Sequence, residues 1–179
     1  MVAFGCIFSN AGILLVGLAI KHAYETKFNK PVNYDDLLQK YILQNVGIKS
    51  FSPWRPKNGK YNLTDPVAPY IVGSPAGGYW MTAEDLAKFG QWIYQKMALD
   101  PSFKRLVEKY GQEFYHANRQ VISHGGAIPS SSAFLSVSKT GAVIALLSNQ
   151  PSIISSDLSL MIQEHIFSKE ITSNDGLSG

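Results

Sequence analysis

The chain has 179 residues, 45% of them hydrophobic and 16% charged, with a formal net charge of +3. That balance excludes a disordered chain, and the scattered Lys and Arg residues give no reason to expect a nucleic-acid partner. One cysteine, Cys6, excludes an internal disulfide framework, and the four histidines (22, 116, 124 and 165) lack metal-ligand spacing, so no metal or other cofactor is expected.

The first 20 residues carry no charge. They match a membrane span in length and share the apolar stretch of a signal peptide. However, no basic region precedes Lys21, and Ser9-Asn10 with nearby glycines splits the run. A buried helix starting near Asn10 is therefore expected, with a membrane segment as the alternative, and the compartment stays open. Ser9 or Asn10 can cap this helix, whose apolar stripe is Ile13, Leu14, Gly17, Ile20 and Tyr24. Pro31 ends it. Asn33 opens a second helix with acids in its first turn and Leu37, Leu38, Tyr41 and Ile42 on one face.

Residues 47–79 hold five prolines and five glycines and predict a long irregular connection. Thr82-Ala-Glu-Asp85 is a helix-capping pattern, followed at helical spacing by Leu86, Phe89, Ile93 and Met97. Asp100-Pro101 opens another helix in the N-cap and N1 arrangement. Beyond Asn118 the period changes to that of strands, over 119–124, 132–138 and 142–148. The last of these, Ala142-Val-Ile-Ala-Leu-Leu-Ser148, is apolar on both faces and calls for cover on both. An amphipathic helix over 155–167 and a polar tail from 169 complete the chain. The expected fold class is α+β. A helical portion, 1–115, precedes three antiparallel strands with a C-terminal helix on the sheet, 116–168, and a tail, 169–179.

Ser136-Val-Ser-Lys-Thr-Gly141 overlays two motifs of acyl-serine chemistry, Ser-x-x-Lys and Lys-Thr-Gly. The first works on a helix, where residues three apart share a face and the amine reaches the hydroxyl. On a strand they point to opposite faces. Ser136 stands in an alternating stretch just before a glycine turn, so a strand end and hairpin are expected. Chance alone supplies about one Ser-x-x-Lys in a chain of this composition.

Four other segments fall in a recognisable order. They are Phe8-Ser9-Asn10 before a helix, Ile42-Leu-Gln-Asn-Val-Gly-Ile48, the block Pro75 to Gly90 with Gly77-Gly78, Thr82 and Asp85-Leu86, and His124-Gly-Gly-Ala127. Together they resemble the class C β-lactamase, penicillin-binding protein and DD-peptidase group with its esterase and D-aminopeptidase relatives, over residues 4 to about 168. The resemblance implies a β-lactamase-like fold represented by its C-terminal portion, with the first strands absent. It also implies acyl-serine hydrolysis of a small-molecule amide or ester such as a β-lactam, D-amino peptide or ester, in a family often found outside the cytoplasm.

Carried over residue by residue, Asn10 takes the place of the family's substrate-amide partner. His124 takes the place of the strand side chain, and the Ala127 N–H that of an oxyanion donor. Gly125 and Gly126 would let a ligand approach the backbone. Each has a plainer reading: Asn10 as a helix cap, His124 as an ordinary strand-end histidine, the glycines as a turn. The sequence departs from the family twice. Phe8 stands where the family has the Tyr that relays a proton, so the hydroxyl is lost, and no Ser-x-x-Lys precedes it. Without the nucleophile no acyl-enzyme forms, and the chain alone is expected to be inert. The alternative is a non-catalytic relative that binds a ligand or partner in the remnant cleft. The resemblance also pairs strand 142–148 with a missing first strand. The apolar edge so exposed would need an N-terminal complementing chain or a second copy to cover it.

Overall fold

The computed structural model describes residues 10–52, 74–111, 115–116, 121–128, 131–148, 161–162 and 164–166. Phe8, the candidate cap Ser9, most of the 47–79 connection and the tail from 169 lie outside the described residues. The protein is α+β, and its contacts divide it into two units. α1 (Asn10–Phe28), α2 (Tyr34–Leu38), a π-helical stretch Gln39–Leu43, α3 (Gln44–Val46) and residues 74–81 form the first. α4 (Ala83–Leu99), α5 (Pro101–Tyr110), β1 (Tyr115–His116), β2 (Val121–Ile128), β3 (Ser131–Val137) and β4 (Val143–Ser148) belong to the second. The contacts place α4 and α5 with the sheet, not with the helices of the expected 1–115 portion that precede them.

In the first unit α1 ends where Asn29 turns left-handed at φ 48°, and the Lys30 N–H returns to the Glu25 carbonyl at 3.3 Å. This is a Schellman-type close with Asn in the place glycine usually takes. α3 ends the same way at Gly47, φ 75°, with the Ile48 N–H on the Leu43 carbonyl at 3.0 Å. Leu43 and Ile48 are both buried beside that turn, so hydrogen bonding and apolar burial end the helix together. Of the stripe expected on α1, Gly17 is buried and Ile13, Leu14 and Tyr24 are half-buried. Ile20 faces solvent, as do Leu15, Val16 and Leu18.

The second unit is built on α4. Thr82 Oγ1 accepts the Asp85 N–H at 3.2 Å, as the capping pattern requires. Asp85 is buried, and Lys88 Nζ reaches its carboxylate at 2.8 Å. Gly90 lies close against the sheet: a Cβ there would stand 2.7 Å from Val143 Cγ1 and 3.0 Å from Leu135 Cδ1. At the far end Asp100 accepts the N–H groups of Ser102 and Phe103, both at 3.0 Å, and so opens α5 with Pro101 at its start. Those bonds, that from Phe103 foremost, hold the Asp100 carboxyl below its ordinary 3.8. The Trp92 and Phe103 rings meet edge-on at 6.0 Å and tie α5 to α4.

The sheet has four antiparallel strands in the order β1-β2-β3-β4. The three expected strands are present, with the two-residue β1 added beside Val121 and Ile122. β2 runs on to Ile128, past the expected end at His124, because Gly125 to Ile128 continue the ladder opposite Phe134 to Ser131. Leu135, Val137 and Val143 face α4. On the opposite face Val121 and Ile144 form a small core with Ile162 packed against it. Of the C-terminal helix expected over 155–167, residues 161–162 and 164–166 are helical, and the rest lie outside the described residues.

Two measurements check this packing. Gly90→Val drives a branched side chain into Val143 and Leu135, and should cost about 2 kcal/mol in denaturant unfolding. Asp100→Ala removes the cap of α5. Because the Asp100 pKa is depressed, its stabilisation is present above 3.8 and lost as pH falls below that value. The melting-temperature gap between wild type and this variant should therefore close in acid.

Candidate functional site

His124, Gly125, Gly126 and Ala127 are four consecutive exposed residues of β2. They pair with Leu135, Phe134, Ala133 and Ser132 of β3. Directly opposed residues share a face, so His124 stands with Leu135 on the side where α4 packs, and Gly126 stands with Ala133. Gly125 and Ala127 look to the other face with Phe134 and Ser132. Neither glycine forms a turn. A Cβ at Gly126 would meet nothing within 4 Å, and one at Gly125 would make ordinary contacts with the Ala133 carbonyl and Phe134. The packing of the described residues leaves room for side chains at both positions, so the strand's bare backbone there is exposed. Between Ser123 and Ile128, β3 is the only strand paired with β2 among the described residues.

Asn10 is the first residue of α1 and is exposed. It belongs to the first unit, whereas His124 to Ala127 belong to the second, and Phe8 lies outside the described residues. The structure therefore brings together the four strand residues.

The overlaid motifs resolve into a strand and a turn. Ser136 sits in β3 opposite Ser123 and Ile144, 0% exposed, while Lys139 is exposed in the β3–β4 turn. Ser138 organises that turn: its Oγ accepts the Ala142 N–H at 3.0 Å and lies 2.7 Å from Thr140 Oγ1. Gly141 adopts φ 91°, donates its N–H to the Ser138 carbonyl and gives its own carbonyl to Gln91 of α4 at 2.8 Å. A Cβ at Gly141 would strike the Tyr94 ring at 2.8 Å. Glycine is thus required twice over, by backbone conformation and by space. The Ser136 hydroxyl, buried on the face of the sheet away from α4, has no hydrogen-bond partner and so no base to take its proton among the described residues. Ser132 Oγ is likewise buried without a partner among the described residues.

One polar contact escapes sequence reasoning. The Tyr79 hydroxyl donates to Asp35 Oδ1 at 2.6 Å, and Phe51 stacks on the Tyr79 ring at 4.5 Å. Burial, then the bond to Asp35, pushes the Tyr79 phenol well above its usual range. It therefore acts as a fixed donor that holds the 74–81 segment to α2. The partners lie 44 residues apart, and no periodicity links them.

Comparison with protein-family models and with curated proteins finds no match. Among the described residues no three His, Cys, Asp or Glu side chains cluster as a metal site, and no helix is long and apolar enough to cross a membrane.

Ser136→Ala removes a buried hydroxyl that has no partner among the described residues. It should be neutral or stabilise the fold by about 1 kcal/mol in denaturant unfolding. A large loss of stability would show that the hydroxyl is satisfied in solution.

Proposed function

We propose that this chain is the C-terminal part of a β-lactamase-like serine hydrolase, and that by itself it is inactive in acyl transfer. The observation that carries the reading is the exposed run His124 to Ala127 on β2. An imidazole there adjoins two residues of bare backbone and an N–H in the place the resemblance gives to an oxyanion donor. Such an arrangement suits a carbonyl compound lying along the strand, with backbone groups rather than side chains as its hydrogen-bond partners. Substrates would be amides or esters, among them β-lactams and D-amino peptides. Asn10 would be the partner of the substrate amide.

What these residues lack is a nucleophile with a base. The only Ser-x-x-Lys in the 179 residues is Ser136 to Lys139, and its serine is enclosed in the sheet. Phe8 offers no hydroxyl for proton relay. Acyl transfer at β2 therefore needs a serine from outside these 179 residues. β4 stands at the end of the strand order with Leu147 39% exposed. Among the described residues it offers an uncharged edge, where a strand from outside these 179 residues or from a second copy would be added. The second reading is a non-catalytic protein that binds a ligand or partner along β2. Phe8 favours it, because loss of the hydroxyl costs a catalyst more than it costs a binder.

A fluorescent penicillin incubated with the purified chain should leave no covalent label after denaturation, and a persistent label would overturn the claim of inactivity. Backbone NMR with a D-alanyl peptide or a β-lactam should move the amide signals of Gly125, Gly126 and Ala127. His124→Ala should weaken that binding roughly fivefold, about 1 kcal/mol. Unchanged signals at millimolar ligand would count against both readings. For the β4 edge, light scattering at rising concentration should show self-association that Leu147→Lys abolishes without unfolding the chain. A wild-type chain that stays monomeric would argue against pairing with a second copy.

A further inference from the structure

We draw no further inference here: the strongest candidate, the outward apolar face of α1 with Leu15, Val16, Leu18 and Ile20 exposed, carries nothing because no feature of the structure shows what covers it.

Discussion

The second unit depends on how closely α4 lies against the sheet at Gly90. With no Cβ at that position, the helix backbone settles between Val143, Leu135 and Val137 of β4 and β3. Any larger residue would push the helix outward and forfeit the contacts on both sides of it. The same approach sets the turn that joins the two strands. Gln91, one residue on, reaches the Gly141 carbonyl, and Tyr94 fills the space that a side chain at 141 would need. Helix and hairpin thus fix each other: the turn has its geometry because α4 is near, and α4 is near because two glycines permit it.

That placement has a consequence for chemistry. α4 packs over β3 and β4, and on β2 the residues His124 to Ala127 are exposed. An open strand bearing two glycines gives a ligand access to the peptide groups themselves, with one imidazole beside them. In the proposed function it would supply recognition and carbonyl polarisation, with the attacking group coming from elsewhere. The serine with the most suggestive sequence context, Ser136, lies on the neighbouring strand, buried on the face away from α4. A motif that depends on helical spacing thus has no chemistry when its residues fall on a strand and a turn.

The first unit is held by different means. Gly17 of α1 faces Pro75 so closely that a Cβ would overlap the proline ring, and Tyr34 stands beside it. Tyr79 reaches Asp35 at the start of α2, and Ser52 and Trp80 exchange backbone hydrogen bonds at 2.9 and 2.8 Å. The described ends of the Pro- and Gly-rich connection are therefore ordered by pairing and packing. α1 itself is apolar around most of its circumference, yet Gly17 alone among its residues is fully buried. A helix of that composition is ordinarily enclosed by protein.

Much of the local structure was legible in the sequence because local chemistry decides it. Thr82 and Asp100 cap α4 and α5 through side chains that reach backbone N–H groups two or three residues on, and the Gly141 hairpin follows from its turn residues. The apolar stripe of α4 and the three long strands follow from periodicity. What the sequence left open were matters of neighbourhood. Whether His124-Gly-Gly-Ala127 ends a strand or continues one was settled by β3, whose residues 131–135 offer a ladder to pair with. Whether Ile20 is inside or outside was settled by the placement of α1's neighbours against Gly17. The Tyr79–Asp35 bond joins residues remote in the chain, and only the folded backbone brings them within 2.6 Å. The sequence by itself determined where helices start, where turns fall and that Ser136-x-x-Lys139 is misplaced for catalysis, since each rests on interactions spanning a few residues. Only tertiary structure decided which strand remains open and which helix closes on the sheet, because packing is settled between surfaces that no local pattern encodes.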